Sequence, residues 1–222
     1  MERSSGILMH ISSLPGKYGI GTFGKQAFSF IDFLKKSGQK YWQILPLGQT
    51  GYGDSPYQCF SAFAGNPYFI DLELLEEEGL LNKGDYENLD YGSKEEAVEY
   101  EKLFINKNKV LRIAYEKSKG KYKKELKKFI DENNIWIEDY ALYMAVKNHF
   151  NLVSWHNWDD DIRLRKKEAI NHYKRLLSDE INYWIFIQYL FFKQWNNLKK
   201  YATENGVNII GDIPIYVAED SA

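Results

Sequence analysis

The chain has one cysteine, Cys59, in 222 residues. No disulfide can close within it, so a reducing setting, the cytoplasm, is expected. An excess of charge is missing as well: 29 Lys and Arg stand against 31 Asp and Glu, a formal net charge of −2. No basic stripe stands out, which argues against a nucleic-acid partner. Long apolar runs are also lacking. The most apolar stretch, Ile181 to Phe192, is too short to cross a bilayer and carries Asn182 and Gln188. Residues 1–6 contain no apolar signal core. No internal repeat and no low-complexity linker is visible. Together these absences predict a soluble cytoplasmic protein with no membrane and no nucleic-acid partner.

Aromatic residues, in contrast, are plentiful. They make up 16% of the chain, with 17 Tyr and 6 Trp, and hydrophobic residues as a whole make up 44%. That composition supports one sizeable core. Large aromatic surface also suits sugar sites, where ring faces meet C–H surfaces.

Gly6 to Ile11 reads as a first strand, apolar on both faces as in a buried parallel strand. His10 falls near its end and is expected to be a packing residue. A helix is predicted from about Lys25 to Ser37, because Ala27, Phe30, Ile31 and Leu34 share one face. Tyr41, Trp42, Ile44 and Leu45 form a second strand, stopped by Pro46. Strand, helix, strand with apolar strands is a βαβ unit, which implies parallel pairing. Val207 to Ile210 is a third strand after a long helix from about Glu180 to Asn205. Between the second and third units lies a charged, helix-rich stretch whose charge run reads as a solvated face.

Gly19 to Gly24 matches G-x-G-x-x-G, the pattern of dinucleotide-binding loops. It does not follow its strand directly, and strand two ends without the acidic residue that would hold a ribose. A turn before a helix is the reading taken, and a nucleotide-dependent α/β enzyme is the alternative. His156 with Asp159, Asp160 and Asp161 invites a metal, but nothing else in the sequence pins such a site. The aspartates equally suit helix N-caps.

The most informative stretch is the loop after strand two. Gly48, Gly51 and Gly53 allow tight turns, and Asp54-Ser55-Pro56-Tyr57-Gln58 sets a carboxylate, a hydroxyl, a phenol and an amide side by side. That mix suits a polyhydroxylated ligand. It equally suits a surface loop whose tyrosines cover the core.

Four segments carry a resemblance. They are GILMHISSLPGKYGIGTFG at 6–24, YWQILPLGQTGYGDSPYQCFSAFAGNPYFIDL at 41–72, FFKQWNNLKKYA at 191–202 and IIGDIPIYVAEDSA at 209–222. The chain resembles the amylomaltases, the 4-α-glucanotransferases also called disproportionating enzymes. Cys59 stands where small residues such as Ser are usual. The resemblance implies an α/β fold, an incomplete (β/α)8 barrel of about three parallel strands with a large helical insertion. Residues 1–72 would form the first two strand–helix units, 73–178 the insertion, and 179–222 the long barrel helix and third strand. It further implies retaining transfer of α-1,4-glucan segments by a carboxylate nucleophile and an acid/base carboxyl. No metal and no organic cofactor is implied for that chemistry.

By resemblance, Tyr57 lies beside the sugar at the cleavage point with Ser55 close by, Asp212 contacts substrate, and Tyr52 is an outer stacking contact. Asp54 is given no chemical role. Both catalytic carboxylates are expected beyond Ala222, so no catalytic residue is named in the chain. The chain reads as an N-terminal part or truncated product, predicted inactive alone and prone to self-association through open barrel edges. The expected partners are maltooligosaccharides or other α-1,4-glucans. A non-catalytic glucan-binding or helical interaction module is the alternative.

Overall fold

The structure is a computed structural model describing residues 3–51, 53–94, 96–214 and 218–222. Three short parallel strands lie in the order β1 (Gly6–Leu8), β2 (Tyr41–Gln43) and β3 (Asn208–Ile210). Their register aligns Ile7, Trp42 and Ile209 on one face. Leu8, Gln43 and Ile210 align on the other. The pairing is parallel, as the βαβ pattern requires.

The strands are shorter than their apolar runs, and burial on both faces does not occur. Leu8 is 56% exposed and Ile210 43%, whereas Trp42 is fully buried. The cause is one-sided cover. Helix α1 (Lys25–Lys36) sets Phe30 edge-on against Trp42, with ring centroids 5.0 Å apart. The long helix α8 (Ser178–Glu204) packs beside α1 and against β3. Among the described residues no element lies over the opposite face.

Helix α1 buries Ala27, Ile31 and Leu34, as its spacing predicts. Its N-terminal Gly24 lies against the Asp71 carboxylate, and a Cβ at that position would collide with it. Asp71 Oδ2 also accepts the Thr22 hydroxyl at 2.5 Å, and Oδ1 accepts the Leu74 N–H at 3.0 Å. The G-x-G-x-x-G turn thus meets a carboxylate of the protein itself. A second anion at this helix start would be repelled, which removes the basis of the nucleotide reading.

Helices α2 (Leu72–Glu77), α3 (Tyr100–Ser118), α4 (Lys123–Glu132), α5 (Ile137–His149), α6 (Asp160–Arg163) and α7 (Lys167–Leu176) fill the chain between β2 and α8. The apolar faces of α3, α4, α5 and α7 gather on α8, and α5 makes the most extensive contact with it. Helix α5 is buried from Tyr140 through Lys147, well beyond the one face that its spacing suggests. Helix α8 is likewise buried most of the way round its middle turns, because helices and loops surround it. No helix among the described residues is long and apolar enough to cross a membrane.

The N-cap reading of the Asp159–Asp161 run needs correction. Asp159 occupies the cap position of α6 without a side-chain capping bond. Asp160 pairs with Arg163 and Asp161 with Lys166, each at 2.6 Å. Surface ion pairs account for those two carboxylates.

Candidate functional site

Beyond β2 the chain leaves the sheet and folds back on itself. Gly48 bridges Gly65 and Thr50 bridges Cys59 in antiparallel fashion, which makes a narrow hairpin-like loop. Gly48 has to be glycine, since a Cβ there would sit 2.8 Å from the Cys59 Cβ. The loop is anchored to α8 at its base. Gln188 is fully buried and brackets Gly65, accepting its N–H at 2.8 Å and donating to its carbonyl at 2.9 Å. Two turns further on, Gln194 holds Asp71 in the same way, at 2.7 and 3.2 Å. The Tyr140 hydroxyl donates to Gln49 Oε1 at 2.6 Å.

The loop tip turns at Asp54, a non-glycine residue at φ 54°. Ser55 begins the next turn: its carbonyl accepts the Gln58 N–H at 3.1 Å, and its hydroxyl oxygen accepts the Tyr57 N–H at 3.3 Å. Tyr57 is 40% exposed and projects toward the chain leaving β3. Its hydroxyl donates to Asp212 Oδ2 at 2.8 Å, while Asp212 Oδ1 accepts the Ile213 N–H at 2.9 Å. The hydrogen bond to Asp212 pushes the Tyr57 pKa up, helped by burial and by the carboxylate charge. Ser55, Tyr57 and Asp212 are therefore gathered at the end of the sheet where β2 and β3 both run out. Tyr52 lies outside the described residues. Asp212 is exposed, so its carboxylate carries no burial cost.

On the helical side of the same loop is a cavity of about 980 Å³. Gln49, Asp54, Tyr68, Tyr100, Arg112 and Trp184 are among its walls. Burial pushes the pKa of Asp54, Tyr68 and Tyr100 up. The Arg112 guanidinium lies over the Tyr183 ring at 3.6 Å and pairs with Glu180. Trp184 Nε1 and Thr50 Oγ1 are buried with no hydrogen-bond partner among the described residues. Neither buried atom is accessible from the cavity; what the cavity presents is an aromatic wall with polar side chains among it.

A family profile described as 4-alpha-glucanotransferase matches residues 9–222. The chain belongs to the 4-alpha-glucanotransferase family. It is 59% identical over 214 residues to the 4-alpha-glucanotransferase of Clostridium butyricum, covering 96% of this chain and 44% of that protein. The Thermus thermophilus 4-alpha-glucanotransferase is 44% identical, with 100% of this chain and 44% of the relative covered. This member of the family thus spans about 44% of the length of these curated relatives. Its structure superposes with a TM-score of 0.96 on a solved amylomaltase from Streptococcus agalactiae in complex with acarbose. That pair is 47% identical, and the match covers 99% of this chain and 45% of the other. A Corynebacterium glutamicum amylomaltase, 20% identical with a TM-score of 0.73, shares the fold.

Sequence reasoning named Tyr57 and Asp212 but not the bond between them. It also missed Gln188 and Gln194. A signal existed for Gln188, a polar residue inside the apolar run Ile181 to Phe192; Gln194, next to Lys193 and about 120° round the helix from Gln188, carried none.

Proposed function

We propose that this chain contributes the glucan-binding part of a 4-α-glucanotransferase that transfers α-1,4-glucan segments by a retaining double displacement. The three-stranded sheet is then the start of a (β/α)8 barrel. Residues 1–72 and 179–222 supply barrel units, and 73–178 form the insertion. The observation that carries this reading is the Tyr57–Asp212 hydrogen bond, which joins the loops after β2 and β3 at 2.8 Å. Ligands of parallel barrels gather where strands end at their carboxyl side, and both residues stand there.

In this mechanism a carboxylate attacks the anomeric carbon while a second carboxyl protonates the leaving oxygen. A sugar hydroxyl then takes the glucosyl group from the enzyme, with the second carboxylate as base. Both carboxylates come from residues outside 1–222. Tyr57 and Asp212 bind sugar hydroxyls, and their mutual bond holds the phenol and the carboxylate in place before substrate arrives. Ser55 steadies the Tyr57 backbone. The aromatic chamber beside Asp54 receives further glucose units of a long chain, and Tyr52 is an outer stacking contact. Maltooligosaccharides and longer α-1,4-glucans are the substrates, in a soluble cytoplasmic setting.

The test is transfer between maltotriose molecules by the full-length enzyme. Asp212→Asn keeps shape and removes charge; Tyr57→Phe removes only the hydroxyl. Each is expected to lower kcat/KM by roughly tenfold or more, the worth of one lost hydrogen bond of this kind. Melting temperatures should stay near the wild-type value, because both groups are exposed. A large loss of melting temperature with normal turnover would instead make Asp212 an acceptor for loop N–H groups and nothing more.

A further inference from the structure

Lys147 on α5 is almost wholly buried, at 2% exposure, yet it carries a charge. Its Nζ lies 2.5 Å from Asp220 Oδ2 and 5.0 Å from the Phe60 ring centroid. Asp220 belongs to the segment that follows β3, and Phe60 to the loop that follows β2. One ammonium group therefore touches both loops from a helix of the intervening layer. Asp220 is saturated with donors. Its Oδ1 accepts the Trp155 N–H at 3.1 Å and the Tyr143 hydroxyl at 3.2 Å, and its carbonyl accepts the same hydroxyl at 2.9 Å. Beside it the Trp155 indole N–H donates to the Glu219 carbonyl at 3.0 Å. The Ala222 N–H donates to the Phe60 carbonyl at 2.7 Å, so the two loops also join directly.

Burial alone pushes the Asp220 carboxyl up. The Lys147 ammonium, the Trp155 N–H and the Tyr143 hydroxyl outweigh it and hold the carboxyl below its usual range. Lys147 is buried while the Asp220 side chain is 27% exposed; an ion pair with one buried partner is stable only when its remaining hydrogen-bonding capacity is met, and here it is. Such a pair fixes geometry more than it adds stability. The same two loops carry Tyr57 and Asp212, which meet at their exposed edge. The loops are therefore tied at two places, one at the exposed edge, the other part-buried at the wall of the aromatic chamber.

We propose that the Lys147–Asp220 pair is a positioning device that locks the loops after β2 and β3 together through α5, and so sets the spacing of Tyr57 and Asp212. The functional half of this proposal rests on the glucan-binding reading of those two residues. Lys147 and Asp220 also border the aromatic chamber, and in this proposal they act on turnover through the placement of Tyr57 and Asp212. A small displacement of positioned groups costs far more in turnover than in ligand affinity.

The experiment uses the full-length protein with Asp220→Asn, Lys147→Met and the milder Tyr143→Phe, which keeps the ring and removes one donor to Asp220. Hydrogen–deuterium exchange is followed in peptides covering 48–60 and 208–222, and maltotriose transfer is measured beside it. Faster exchange is expected in both peptides of each variant, with α1 unchanged. For Tyr143→Phe and Asp220→Asn, kcat should fall about ten- to a hundredfold while KM moves less than about threefold. Asp220→Glu should recover part of kcat. Unchanged exchange in either loop overturns the coupling. Faster exchange with an unchanged kcat overturns the positioning role. If the wild-type protein transfers nothing, the glucan reading fails, and the loop coupling is decided by exchange alone. Should Lys147→Met not fold, Tyr143→Phe still decides both questions.

Discussion

His10 stands at the end of β1 with its ring edge-on to Phe69, centroids 5.3 Å apart, and its Nδ1 accepts the Leu45 N–H at 3.3 Å. It is a packing residue, as its place in the sequence suggests. Burial lowers its pKa from 6.5 to about 4. Protonating Nδ1 would also displace the Leu45 N–H. Between those pH values the unfolded chain takes up a proton that the folded chain refuses. Stability from this group is therefore complete above pH 6.5 and is lost as pH falls toward 4. The whole effect amounts to about 3 kcal/mol at most. His10→Asn keeps an acceptor for Leu45 and cannot titrate. Urea unfolding at pH 7 and at pH 4.5 should show the wild type losing more stability than the variant by about 2 kcal/mol. Equal losses would mean that His10 charges without penalty. Lys107 is shifted in the same direction but, among the described residues, lacks a partner. It is fully buried on α3 with no hydrogen-bond partner for Nζ, and burial lowers its pKa to about 8, against a raising influence from Asp71.

At the scale of elements, the loop after β2 is an appendage of α8. Gln188 satisfies both backbone groups of Gly65 in a dry interior, where each unsatisfied group costs about 1–3 kcal/mol. Gln188→Leu fills the same space and satisfies neither. Its expected cost is roughly 2–4 kcal/mol in chemical denaturation, with faster exchange at the Gly65 amide. Gln188→Glu should fare little better, since it places a charge in the core. A Gln188→Leu protein of normal stability would show that the loop is held from elsewhere.

The sequence made these elements legible to different degrees. The bounds of α1 and α8 follow from apolar spacing and their caps, and all three strands lie where the apolar runs lie. Burial around α5 and α8 was less visible, because wide burial needs neighbours that periodicity does not report. The exposed face of β1 was misjudged for the same reason: an apolar run tells what a strand tolerates, not what covers it. Tyr57 was marked by its polar loop and Asp212 through resemblance; their contact, 155 residues apart, is brought about by parallel pairing.

At the scale of the whole molecule, residues 1–222 alone are expected to show no transfer activity. A retaining pair needs one carboxyl kept protonated and one ionised, about 5–5.5 Å apart. The candidates near the loops are Asp54, Asp212, Glu219 and Asp220, and three of them are engaged elsewhere. Asp212 is bound by Tyr57 and Ile213, Glu219 lies 3.4 Å from His156, and Asp220 is held by Lys147, Tyr143 and Trp155. Burial pushes the Asp54 carboxyl up, and among the described residues no ion pair is made to it. Binding groups without a nucleophile cannot form a glucosyl-enzyme. The uncovered sheet face, with Leu8 and Ile210 exposed and Ile213 78% exposed beyond them, is an apolar surface that favours association. Purified 1–222 should therefore run larger than a monomer in light scattering. Incubated with maltotriose, it should release no glucose and build no longer oligomers. Robust disproportionation by a sample whose mass shows no longer chain would falsify this expectation, and would send the search for the nucleophile back to Asp54.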